Sequence, residues 1–180
     1  MIVQSFTKRA RAFHYAGLVA IIALVLMGFF WKNLPEDMRI WGISLHKLFG
    51  FGMLWVILAW IASYASSVSP LPPEGLEKSK ILAARIVKIL LLGCALTMAS
   101  SGWLMASAAN KPQIPALGIS LPSPLNENLQ LAGLLRQIHE TTGLILAALI
   151  AGHALAALYH QLIRKDVILS RMFPFISAPK

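Results

Sequence analysis

Four stretches of this chain carry almost no charge: Ala16–Trp31, Leu48–Ala65, Ile89–Ala109 and Gly143–Tyr159. A helix needs about 20 mostly apolar residues, rising 1.5 Å each, to cross a bilayer. Extending each stretch to its polar flanks predicts four membrane helices at 12–31, 43–65, 81–107 and 134–162. Three connections follow. The first is a turn from Lys32 to Gly42 containing Pro35, and the second a loop from Ser66 to Lys80 with Pro70, Pro72 and Pro73. The third and longest runs from Ala108 to about Gly133, where Pro112, Pro115, Pro122 and Pro124 oppose a regular helix and predict a solvent-facing cap. The spans leave little chain for anything else, so the expectation is an all-α integral membrane four-helix bundle forming a single membrane domain over 1–180.

Composition agrees. Hydrophobic residues make up 57% of the 180 and charged residues 13%, where a soluble domain carries roughly 25% charged. Lys8, Arg9 and Arg11 precede the first apolar stretch as they would in a leader peptide. That stretch ends in Gly28-Phe29-Phe30-Trp31-Lys32 with no small-x-small cleavage site, which predicts a retained first helix. Cys94, the single cysteine, lies inside the third span and can form no internal disulfide.

The net charge of +9 raises nucleic-acid binding, but its distribution redirects the reading. Lys8, Arg9, Arg11, Lys78, Lys80, Arg85, Arg164, Lys165, Arg171 and Lys180 fall on one side of the predicted bundle, against Lys32, Arg39, Lys47, Lys111 and Arg136 on the other. The excess marks the cytoplasmic face of a multi-pass membrane protein, with both termini cytoplasmic. Trp31, Trp41 and Trp103 then fall near the outer interface, where indoles settle. Lipid, not nucleic acid, is the expected partner.

Candidate chemistry rests on the histidines, because an ionisable side chain at membrane depth is costly and marks function. His139 and His153 are 14 residues apart on the fourth helix. That spacing closes to within about 40° of one face and separates them by roughly 21 Å along the axis. His46 opens the second span on the outer side with His139, and His14 opens the first on the inner side with His153. Each pair offers two axial imidazoles, as a six-coordinate haem b requires. Zinc prefers a tetrahedral set with cysteine or carboxylate partners, which neither pair has nearby. No C-x-x-C-H occurs, so two haem b groups would be held without covalent attachment. Gly17, Gly50 and Gly143 lie three or four residues after His14, His46 and His139, on the same helix faces. Missing side chains there leave room for a flat macrocycle, although small residues also serve helix packing. Lys47 and Arg136 flank the outer pair as candidate propionate contacts, and Arg9, Arg11 and Lys88 the inner one. Lys88 lies about two turns into the third span, where it either snorkels to the interface or meets a propionate or quinone. His160, seven residues beyond His153, is either an interfacial histidine or a donor to a quinone carbonyl.

These residues resemble the bacterial cytochrome b561 family, which is related to the cytochrome b subunits of nickel-iron hydrogenases. The likeness is strongest in His139-x-x-x-Gly143, Gly152-His153, His160, Arg164-Lys165-Asp166, Leu169 and Arg171-Met172, and the settings of His14 and His46 agree with the first two helices. The resemblance implies a diheme membrane cytochrome that exchanges electrons with ubiquinone, its haem-ligand positions falling on His14, His46, His139 and His153. One branch oxidises superoxide at the outer surface and reduces ubiquinone, and this chain is similar to it in length and layout. Two departures stand near the expected quinone region: Lys88 and Gln161 occupy places where many members carry histidine. The leading expectation is therefore a superoxide:ubiquinone oxidoreductase with His160 at the quinone. Outer cations would steer the anion, although Glu36, Asp37, Glu127 and Glu140 nearly cancel Arg39, Lys47, Lys111 and Arg136. The alternatives are a quinol-linked subunit passing electrons to a periplasmic electron-transfer protein, and a haem-free tetraspan scaffold.

Overall fold

The computed structural model describes residues 5–65 and 77–176. Four long helices dominate it: α1 (Lys8–Phe30), α2 (Glu36–Ala65), α3 (Lys78–Ala108) and α4 (Leu129–Tyr159), all long and apolar enough to cross a membrane. Leu18, Val19, Ile22, Leu26, Trp55, Leu82, Ile89, Leu144, Leu155 and Ile163 all stand exposed on the bundle's outside. In water that surface would be untenable; in lipid it is the expected coat.

Each helix outruns its apolar stretch, because hydropathy reports the hydrocarbon layer and not where the backbone stops winding. The connection expected over Lys32–Gly42 is mostly helix: a single turn at Trp31–Asn33 precedes α2, whose first turn holds Glu36 and Asp37. The Pro35 carbonyl takes the amide of Arg39 at 2.9 Å, and proline costs nothing where no amide partner is needed. Acidic residues at that end also complement the helix dipole. Thr7 caps α1 through the amide of Ala10 at 3.2 Å, and Asn128 caps α4 through the amide of Leu131 at 2.9 Å. The three loop prolines expected on the inner side lie outside the described residues.

Packing is uneven in a way that matters for the site. The small core comprises Met53, Leu54, Ile57, Ala95 and Ala99, with Ala20, Ile21, Leu24 and Trp103 around it, and so joins α1, α2 and α3. Helix α4 packs along the length of α3, whereas no comparable close backbone packing joins α4 to α1 or α2. A seam is thus left between α4 and the first two helices.

The long outer loop is folded. A two-stranded hairpin, β1 (Gln113–Ile114) and β2 (Ile119–Ser120), closes through Gly118, whose φ of +63° is the left-handed conformation glycine favours. Ile114 is fully buried, and buried Ser44 of α2 accepts the Ala116 amide at 3.0 Å. Ser107 Oγ accepts the Leu125 amide at 2.9 Å, and Trp103 Nε1 donates to the Pro122 carbonyl at 2.7 Å. These contacts lay the segment down on the helix ends as a cap.

At the opposite end α4 continues into a wider turn, His160–Arg164, that stops at Lys165 with φ +51°. A short helix, α5 (Ile168–Met172), then returns under the bundle. Tyr15 Oη donates to the Met172 carbonyl at 2.6 Å and the Phe6 amide to the Arg171 carbonyl at 3.1 Å, strapping the C-terminal segment to α1.

Candidate functional site

The seam beside α4 is bridged at both ends by histidine rings. At the outer end His46 of α2 faces His139 of α4 with ring centres 6.2 Å apart and planes at 87°. At the inner end His14 of α1 faces His153 of α4 with centres 6.4 Å apart and planes at 70°. Two metal–nitrogen bonds of about 2 Å, plus the ~1.1 Å from nitrogen to ring centre on each side, require roughly 6 Å between two axial imidazoles. Both pairs therefore stand at the spacing that one iron between them demands. Because α4 does not pack closely on α1 or α2, the space flanking each pair is not filled by helix backbone. Among the described residues no group of three or more His, Cys, Asp or Glu converges, so neither pair has the extra donors of a tetrahedral zinc cage.

Beside the inner pair, Arg11 Nε is buried with no hydrogen-bond partner among the described residues. A buried donor left unmatched costs about 1–3 kcal/mol, and a haem propionate is an acceptor of the kind Arg11 needs. Arg11 also lines, with Lys8, Ala12, Tyr15, Pro174 and Phe175, an open cavity of ≈ 360 Å³. Phe173 closes the inner pair from below, its ring centre 5.9 Å from His14 and 5.2 Å from Tyr15.

The other candidate cations are differently placed. Lys47, next to His46, donates from Nζ to the carbonyls of Lys111 at 2.9 Å and Gln113 at 3.1 Å, tying α2 to the cap. Arg136 pairs through Nε with Glu140 one turn on, at 2.9 Å, on an exposed face. Lys88 is exposed on α3, and no hydrogen bond or ion pair joins it to the inner histidines among the described residues. His160 is partly buried and its Nδ1 bonds Asp166 Oδ2 at 2.5 Å. Asp166 Oδ1 takes the Ile168 amide at 3.1 Å and Arg164 lies 3.8 Å from Oδ2, so the turn is organised around this carboxylate.

The glycines divide. A Cβ at Gly50 would meet nothing within 4 Å, leaving open space one turn from His46. Gly17 instead faces Trp60 and Met53 at 3.5 and 3.9 Å, and Gly143 faces the Met98 side chain at 3.4 Å, so both serve helix packing. Two glycines unremarked in the sequence touch ligand candidates: Gly28 would put a Cβ 3.5 Å from His46 Cε1, and Gly102 would put one 2.9 Å from His139 Cε1. Both sit on helices that do not carry the histidine concerned, so spacing along one helix could not reveal them. The run Ala99-Ser100-Ser101-Gly102 was the available signal.

The model for prokaryotic cytochrome b561 matches residues 5–175, nearly the whole chain. The chain belongs to the prokaryotic cytochrome b561 family. It is also similar to "Cytochrome b561 homolog 1" of Escherichia coli (strain K12), 34% identical over 108 residues. That match spans 60% of this chain and 58% of the relative's length. The family consists of bacterial membrane b-type cytochromes that bind haem b and act in electron transfer.

Proposed function

We propose that this chain is a diheme b-type cytochrome of the bacterial inner membrane, with His46 and His139 as the axial ligands of an outer haem and His14 and His153 as those of an inner one. The observation that carries this reading is the pair of ring separations, 6.2 and 6.4 Å, at the two ends of a single helix. Haem b supplies one-electron chemistry when bound; the protein's part is to hold two such groups in line across the bilayer. Arg11 supplies a donor for an inner propionate, and Lys88 reaches the inner interface from α3 by snorkelling. Arg136, once its bond to Glu140 is counted, retains its terminal guanidinium nitrogens for an outer propionate.

The reaction we propose is superoxide:ubiquinone oxidoreduction. Two superoxide ions each lose one electron outside to give two molecules of oxygen; one ubiquinone takes two electrons and two protons inside to give ubiquinol. His160 is the proposed quinone contact. Asp166 takes the Nδ1 hydrogen, so in the protonated ring Nε2–H is left to donate to a quinone carbonyl and give up its proton there. Steering of superoxide rests on few cations, since Lys47 is engaged by the cap and Arg136 by Glu140. Rapid mixing of the oxidised haem-loaded protein with superoxide should reduce haem within the mixing experiment and, with ubiquinone added, yield ubiquinol. Haems left oxidised would overturn the superoxide reading.

A second reading has one observation in its favour. The outer cap is folded and anchored at Ser44, Lys47, Trp103 and Ser107, as a docking surface for a periplasmic electron-transfer protein would be. Quinol-driven haem reduction together with co-purification of such a protein would favour it over superoxide oxidation.

A further inference from the structure

Helix α3 carries none of the paired histidines, yet it shapes the seat of one of them. His139 Nδ1 lies 3.0 Å from the Met98 carbonyl and 3.2 Å from Ser101 Oγ. Ser101 is 4% exposed, and its hydroxyl also donates to the Met98 carbonyl at 3.3 Å. One residue on, a Cβ at Gly102 would stand 2.9 Å from Cε1 and 3.2 Å from Nδ1 of the same ring, closer than side chains come without something moving. The imidazole is a flat, rigid group, so the ring itself would have to shift. Met98 completes the seat from the other side, its methyl 3.4 Å from where a Gly143 Cβ would be.

We infer that Ser101 and Gly102 are positioning residues for His139: Gly102 leaves the space the ring fills, and Ser101 with the Met98 carbonyl fixes which ring nitrogen keeps the proton. This rests on His139 being a haem ligand. A carbonyl accepts only, so Nδ1 bears the hydrogen and Nε2 keeps the lone pair that a metal takes. An acceptor behind a ligating imidazole also makes it a stronger donor, which favours the oxidised metal. His46 is held differently: the Leu24 backbone of α1 faces its ring, and a Cβ at Gly28 would make only an ordinary 3.5 Å contact. The outer pair is therefore held unequally, with His139 seated against α3 at Met98, Ser101 and Gly102, and His46 resting on α1 with room to spare at Gly28.

The test uses full-length, haem-loaded protein in nanodiscs, read by redox-titrated visible and EPR spectra. Gly102→Ala should lose the low-spin bis-imidazole signature of one centre and keep the other. Gly93→Ala, on the same helix with nothing within 4 Å of the new methyl, should keep both. Ser101→Ala should shift the midpoint of that same centre upward and leave the second unmoved, and Ser101→Thr should restore it. Gly102→Ala with both signatures intact, or Ser101→Ala moving neither midpoint or both equally, would overturn the inference. His139→Ala separates the two levels. If it removes a centre while the α3 variants do nothing, the positioning role alone is wrong; if it removes none, the ligand assignment fails and the inference with it.

Discussion

Replacing Lys47 by methionine separates a cap anchor from a cofactor contact. The side chain leaves α2 one residue after His46, but its ammonium reaches away to the carbonyls of Lys111 and Gln113 at 2.9 and 3.1 Å. Hydrogen bonds to a charged group contribute about 1.5–3 kcal/mol each. Both of these lie on the exposed rim of the cap, so water recovers much of the loss, and methionine preserves the apolar stem. About 2 kcal/mol for the two together is a reasonable sum, which is roughly a 30-fold change in the equilibrium for opening the cap. Ser44 and buried Ile114 still hold the hairpin down, so the variant folds. Hydrogen exchange in nanodiscs should be roughly 30-fold faster across residues 109–121, the span held by these anchors, with α3 and α4 unchanged. The haem spectrum should not change. Exchange at the wild-type rate, or loss of one haem signature, would refute the reasoning and return Lys47 to the cofactor.

Other substitutions test separate parts of the account. Gly28→Ala adds a methyl at an ordinary 3.5 Å from His46 and should keep both haem signatures, while Gly28→Leu should disturb the outer one, as read by the same spectra. Tyr15→Phe removes the 2.6 Å bond to the Met172 carbonyl; about 1 kcal/mol of strap stability should go, seen as faster exchange or proteolysis of the C-terminal segment. Glu77, outside the spans, is held below the usual carboxylate range by its hydrogen bond from Lys80, 3.0 Å away. A depressed acid contributes above its unfolded pKa and loses that contribution as pH falls through the folded value. The Glu77–Lys80 pair should thus break with a midpoint below that of an ordinary glutamate, which a carboxyl-resolved NMR titration would follow. Because the pair is fully solvated, Glu77→Gln should leave the overall melting temperature unmoved.

Much of this architecture was legible in the residues. Four charge-free stretches read as four helices because a bilayer forces every backbone amide to bond within its own segment. The histidine placement was legible for a similar reason: 14 residues return a helix close to the same face, so His139 and His153 had to look into one seam. Helix ends were not legible at Glu36–Gly42, since polar residues there continue winding in the headgroup zone and hydropathy is silent about them. The hairpin in the cap was not legible, because a two-residue strand pair held by Ser44 and Lys47 leaves no periodic pattern. What sat beyond sequence reasoning were the supporting contacts around the histidine pairs. Gly28 and Gly102 touch histidines on other elements, Asp166 organises His160 through a turn, and Lys47 reaches the cap instead of a propionate. Such contacts depend on helix rotation and depth, which one chain's periodicity does not specify.

The central claim is two bis-histidine haems held at opposite ends of α4, and the most direct measurement is haem stoichiometry with redox-titrated spectra for single and double histidine variants. The wild type should hold two haem b per chain. His46→Ala, His139→Ala and their double variant should all lose the same centre, and His14→Ala and His153→Ala the other. One haem per chain, or His46→Ala and His139→Ala removing different centres, would contradict the account.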